Sequence, residues 1–102
     1  MNVREEDVLG DDFERIAECL KALAHPTRIR ILEELEKGSR CVNDLSEIIG
    51  LSQANLSQHL GLLKSRGWVK REKRAVYVYY SLSEEGISGV LREVCEIIRC
   101  FR

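Results

Sequence analysis

Between Leu51 and Lys64 the chain reads LSQANLSQHLGLLK, and its first turns collect Ser52, Gln53, Asn55, Ser57, Gln58 and His59. Asn and Gln can pair bidentately with the N6 and N7 edge of adenine in a major groove. No carboxylate occurs in the stretch, and its one fixed charge is Lys64. A helix lying against phosphates excludes Asp and Glu, whereas an ordinary solvent-facing helix carries both signs. The plain alternative is an amphipathic helix with a neutral outer face. Leu56, Leu60 and Leu63 recur at helical spacing and supply the inner face. With these inward, Ala54 and Gln58 point directly outward, flanked by Asn55 and Ser57. Gln58 and Asn55 are the expected base readers, and Ala54 can touch a thymine methyl. Ser52, Gln53 and His59 are expected to bond phosphates or cap the helix.

A net charge of −1 argues against nucleic acid until its distribution is read. Residues 1–14 carry a net −5, and residues 64–74 a net +5 from Lys64, Arg66, Lys70, Arg71, Lys73 and Arg74 against Glu72. The basic block directly follows the uncharged polar helix. A basic run alone is usually a solvated face; beside that helix, Lys70, Lys73 and Arg74 are expected phosphate contacts. With 102 residues the chain makes one domain with a small core, which a dimer interface would help to complete. No apolar run approaches the roughly 20 residues of a membrane span. The acidic start MNVREEDVLGDD lacks the apolar core of a signal peptide. A cytoplasmic location with reduced thiols is therefore expected. An enzyme is not expected: no C-x-x-C occurs, no Cys–His spacing suggests a dyad, and little room remains for a substrate pocket.

The remaining elements can be read in order. Residues 1–10 are expected to fray, leaving 11–102 as the folded domain. Asp11 or Asp12 can cap a first helix with Phe13, Ile16, Leu20 and Leu23 as its stripe. Pro26 suits the first position of a second helix running to Lys37, with Ile29, Leu32 and Leu35 inward, Ile31 flanking, and Gly38 as stop. His25, just before it, reads as a cap or a packing residue. Ser39–Val42 is an extended link. Asn43 or Asp44 opens a short helix that Gly50 stops, and Ser52 caps the next. A short helix, a Gly-containing turn and a longer polar-faced helix make a helix-turn-helix. Trp68–Lys73 and Ala75–Leu82 alternate as strands, joined through Glu72-Lys73-Arg74 into a hairpin. The expected fold is mainly α with a small β-hairpin, a winged helix-turn-helix in the order α-α-α-α-β-β-α. Ser83 caps a last helix bearing Ile87, Val90, Leu91, Val94, Ile98 and Phe101. That stripe exceeds what one small domain can cover, so the first and last helices are expected to form a homodimer surface.

Three segments, ALAHPTRIRILEEL (Ala22–Leu35), CVNDLSEIIGLSQANLSQHLGLLKSRGWV (Cys41–Val69) and VYVYYSL (Val76–Leu82), together resemble the ArsR/SmtB family of winged-helix repressors. The likeness runs over about residues 11–100. It implies a homodimer on palindromic operator DNA, with one helix of each subunit in successive major grooves. It also implies release by an inducer that is a thiophilic metal, metalloid or oxidant, and no required cofactor. His59 stands where family members place the His of S-x-H-L, either as a DNA contact or as a structural residue on the helix flank. Two alternatives are a winged-helix regulator that answers to no metal or small-molecule inducer, and a protein-interaction module on the same fold.

Cysteines carry the question of the inducer. Arsenic-sensing relatives bear C-V-C-D-L, whereas this chain reads Cys41-Val42-Asn43-Asp44-Leu45 and lacks the second thiol. The family's zinc site on the last helix uses Asp and His, and neither occurs between Ser83 and Arg102. Cys95 and Cys100 stand about 140° apart around a helix and cannot share one ion there. Cys19 could meet Cys95 if the first and last helices pack together, and Cys100 could reach Cys41 in the same or the opposite subunit. Cys19 and Cys95 border apolar stripes and read first as small hydrophobes. Cys41 and Cys100 look less like core and are the stronger candidates for an arsenite-like metalloid or soft metal, or for an oxidant or persulfide.

Overall fold

Among the described residues, five helices and a three-stranded sheet follow in the order α1 (Glu5–Lys21), α2 (Pro26–Glu36), β1 (Arg40–Cys41), α3 (Val42–Ile49), α4 (Gln53–Ser65), β2 (Val69–Arg74), β3 (Tyr77–Leu82) and α5 (Glu85–Cys100). The computed structural model describes residues 5–101, with backbone alone for 5–11, 85, 86 and 88. The expected winged helix-turn-helix is present, with one addition. Arg40 and Cys41 pair with Tyr80 and Tyr79, so the hairpin becomes a sheet of order β1-β3-β2.

Local chemistry sets most boundaries. Pro26 opens α2, whose N-cap His25 accepts the Thr27 N–H on Nδ1 at 3.1 Å. Gly50 ends α3 in the left-handed region at φ 80°, a conformation that costs glycine little. Arg30 reaches over from α2 to donate to the last α3 carbonyls, Ile48 O at 2.8 Å and Ile49 O at 3.2 Å. A cation there also suits the negative end of the helix dipole. Ser52 caps α4, its Oγ accepting from Asn55 N at 3.2 Å.

Several expectations need correction. Helix α1 begins at Glu5, ahead of the expected cap, so Asp11 and Asp12 lie within it; of the stretch expected to fray, residues 1–4 lie outside the described residues. Helix α3 starts at Val42, with Cys41 rather than Asn43 or Asp44 at its N-cap position. Glu84 rather than Ser83 takes that position in α5. On α2, Ile31 is fully buried and Ile29 only partly so, because α5 and the sheet close over a different arc of the helix. Glu72, Lys73 and Arg74 belong to β2, and the hairpin turns through Ala75 and Val76. Ala75 sits at φ 55°, a left-handed conformation that costs an L-residue about 1–2 kcal/mol.

The core gathers Ile31, Leu32 and Leu35 of α2, Leu45 of α3, Leu56, Leu60 and Leu63 of α4, Val69 and Tyr80 of the sheet, and Leu91 of α5. Burying a leucine of this kind contributes roughly 1.5–3 kcal/mol. Leu56, Leu60 and Leu63 therefore anchor α4 by one face and leave the other outward. Trp68 fixes where the hairpin departs, its indole N–H donating to Cys19 O of α1 at 2.7 Å.

Candidate nucleic-acid interface

Helix α4 presents Ser52, Gln53, Ala54, Asn55, Ser57 and Gln58 exposed on the side opposite its buried leucines. The outward positions expected from helical projection are thus outward, and Lys64 is exposed in the last turn. Gln53 is also a brace: its amide donates to Asn43 Oδ1 at 2.9 Å and ties the start of α4 to α3. Ser46 adds a second tie, donating from Oγ to Leu51 O at 2.5 Å across the turn. These bonds hold the two helices at one angle, so the polar face moves with the core.

His59 is different. It is half-buried on the flank of α4, its ring 4.7 Å from that of His25 and its Nδ1 3.5 Å from a nitrogen of the Arg28 guanidinium. Burial, with His25 and Arg28 adding to it, holds this imidazole below the ordinary histidine value. His25 takes the capping role expected for it.

Beside α4 stands the hairpin. After Val69 every residue of β2 is exposed, including Lys70, Arg71, Lys73 and Arg74. β2 is an edge strand, and charge there also discourages edge-to-edge pairing. Arg74 is partly engaged, donating to Glu72 at 3.1 Å and lying 4.8 Å from the Tyr79 ring centroid. That contact holds Glu72 below the usual carboxylate range and Arg74 above its own ordinary value. Lys70, Arg71 and Lys73 make no ion pair among the described residues. Arg71 was not singled out by sequence reasoning. It lines a groove of about 360 Å³ with Asn43, Gln53, Ser57 and Tyr77, between wing and α4. Strand alternation within the basic block, which sets Arg71 apart from Lys70, was the signal available.

The thiols are dispersed. Cys41 is 8% exposed, and so belongs with the core rather than outside it, because β1 pairing draws it under β3. Cys19 is half-buried at the junction of α4 and β2, its Sγ donating to Arg66 O at 3.6 Å. Cys95 is half-buried against α2, and burial together with the Glu33 carboxylate pushes its thiol above the ordinary value. Cys19 and Cys95 therefore face different elements within one chain, and Cys100 is the exposed thiol. Among the described residues no group of three or more His, Cys, Asp or Glu is placed to hold a metal. No helix described is long and apolar enough to cross a membrane.

Comparison with known proteins places this geometry. The family model for bacterial regulatory proteins of the arsR family matches residues 25–71, from the α2 cap into β2. The chain is similar to the arsenical resistance operon repressor of Bacillus subtilis, at 40% identity over 81 residues covering 78% of this chain and 77% of that protein. It is 35% identical over 94 residues to a homologue of the cadmium resistance regulatory protein CadC from Staphylococcus aureus, covering 91% and 78%. Its fold matches the homodimeric winged helix-turn-helix DNA-binding domain of a possible ArsR-family regulator from Mycobacterium bovis, with a TM-score of 0.85, 25% identity and coverage of 97% and 89%. These relatives are transcription regulators and not enzymes. A helix-turn-helix with an open polar face, a basic wing beside it and this degree of likeness make the chain a DNA-binding transcription regulator of the ArsR family.

Proposed function

We propose that the chain is a repressor that binds a palindromic operator as a homodimer and is released by a thiol-directed inducer. One observation carries the DNA reading. The carboxylate-free face of α4 is exposed where its leucines are buried, and a hairpin with uncommitted cations stands beside it. Gln58 and Asn55 read base edges, Ala54 packs on a thymine methyl, and Ser52, Gln53, Ser57 and Lys64 hold phosphates. Lys70, Lys73 and Arg74 extend the phosphate contacts along the wing, joined by Arg71.

The pairing surface is α1 with α5. Phe13, Ile16 and Leu20 of α1, Val90, Val94, Ile97 and Ile98 of α5, and Phe101 just after it are all exposed in the single chain. A soluble monomer rarely leaves that much large apolar side chain uncovered. Two-fold pairing through this surface would set two copies of α4 about one turn of DNA apart. The reading places the protein in the cytoplasm, with DNA.

The inducer is a thiophilic metal or metalloid, or an oxidant or persulfide. The names of the arsenical and cadmium resistance relatives support the former. Cys100 is the thiol open to first attack, and it lies beside the proposed pairing face. Cys41, Cys95 and Cys19 need a shift of structure or a second subunit to join it. The experiment is a titration of the DNA-bound protein with arsenite, cadmium, zinc and peroxide in turn, read by anisotropy of a labelled duplex. Release by one of them, lost in Cys100→Ser, is expected. DNA binding indifferent to all four, in the wild type as in a variant with every Cys replaced by Ser, would leave a regulator without a thiol inducer.

A further inference from the structure

His59 of α4 is spent within the protein. The His59 ring lies 4.7 Å from that of His25, tilted by 52°. His25 is itself fixed, because its Nδ1 accepts the Thr27 N–H at the first turn of α2. Arg28 donates through Nε to Ala22 O at 2.6 Å and points another nitrogen at His59 Nδ1, 3.5 Å away. The segment after α1, the first turn of α2 and the middle of α4 are joined through these three side chains.

We propose that His25, Arg28 and His59 form a latch that positions α4 for the groove, that His59 acts as a positioning residue and not a phosphate contact, and that DNA affinity is thereby linked to protons. This rests on α4 being the helix that enters the groove. The chemistry of the latch requires neutral rings. Each Nδ1 is used as an acceptor, and a protonated imidazole has two N–H groups and no acceptor. A proton on His59 sets a cation against Arg28. The charged and titratable groups that act on His59 are His25 and Arg28 from the α2 side.

The sign follows. An imidazole held below its ordinary value contributes fully above a pH of about 6.5, and the contribution is lost as pH falls from there through the depressed value. Because the proposed latch holds α4 in its binding geometry only with neutral rings, the DNA-bound protein takes the proton less readily than the free protein, and DNA affinity weakens as pH falls. A histidine that contacts phosphate does the reverse, since bound DNA favours its proton and binding tightens as pH falls.

The test uses the full chain and a fluorescein-labelled duplex that it selects from a random-sequence pool. Affinity is measured by anisotropy from pH 8 to 5.5 at fixed salt, with a melt of each protein at each pH. The free protein's histidine ring protons are titrated by NMR in parallel. Wild-type affinity is expected to fall as pH passes below the His59 value measured in the free protein, by at most about tenfold for each unit by which DNA binding lowers that value further. His59→Asn keeps an acceptor near the position of Nδ1 and does not titrate. It should retain binding at pH 8 and flatten the decline, whereas His59→Ala weakens binding throughout. In the free protein His59 should titrate below 6.5 and move upward in Arg28→Gln. Binding that tightens on acidification and flattens in His59→Asn would overturn the proposal in favour of a phosphate contact. A His59 titration at or above the ordinary value would overturn it without reference to DNA. Failure to select any duplex would take the groove reading down first and the positioning role with it.

Discussion

Helices α4 and α5 each bury one face in the same core and leave the other bare, with opposite chemistry on the bare side. On α4 the uncovered residues are Gln53, Ala54, Asn55, Ser57 and Gln58. On α5 and its C-cap they are Val90, Val94, Ile97, Ile98 and Phe101, with Ile98 60% exposed and Phe101 82%. The polar face costs nothing in water and exchanges its water for another hydrogen-bonding surface. The apolar face costs free energy until a similar surface covers it. Sequence spacing produces both. On α5, Leu91 and Cys95 turn inward at i, i+4 while Val90, Val94, Ile98 and Phe101 trace a second line one residue away. The helix is apolar over more of its circumference than the core can use, whereas α4 is apolar over only the arc it buries.

Changes on the two faces should separate. Ile98→Asp sets a charge in the middle of the apolar face. It should give a monomer by analytical ultracentrifugation and weaken DNA binding by about 10²–10⁴-fold, the scale lost when two linked contacts become one. A dimer surviving this change would contradict the pairing assigned to α5. Leu60→Ala, on the buried face of α4, should destabilise the fold by roughly 2–5 kcal/mol in urea denaturation, since Leu60 is fully buried. Gln58→Ala, two residues away on the open face, should move stability by about 0.5 kcal/mol or less. Equal losses from the two would mean that α4 is covered on both sides. Smallest is Lys73→Ala on the wing. It should weaken binding to all sequences alike and reduce the slope of log K against log salt by about one per subunit. An unchanged slope would remove Lys73 from the contact.

The helix-turn-helix was legible because its boundaries are local chemistry. Pro26 and Ser52 take the helix-start positions expected of them, and Gly50 the left-handed stop. The outward face of α4 followed from three leucines. What escaped depends on long-range contact. Strand β1 has two residues, too few to show alternation, yet its pairing with β3 buries Cys41 and moves the start of α3 to Val42. The sequence leaves His59 open between a DNA contact and a structural residue because nothing nearby in sequence reveals that His25, 34 positions earlier, packs on its ring. Arg71 and Arg74 are alike in composition. Strand alternation puts them on opposite faces, and the fold sets one in the groove beside α4 and commits the other to Glu72 and Tyr79. Helix α1 reaches back to Glu5 past two aspartates that would have made good caps.

The most direct measurement compares Gln58→Ala with wild type on a duplex selected by the wild-type protein and on a scrambled duplex, at one salt concentration. Affinity for the selected duplex should fall by about 1–3 kcal/mol while affinity for the scrambled one stays the same, narrowing the ratio between them. An equal change on both duplexes, or none on either, would contradict the claim that the open face of α4 reads the DNA.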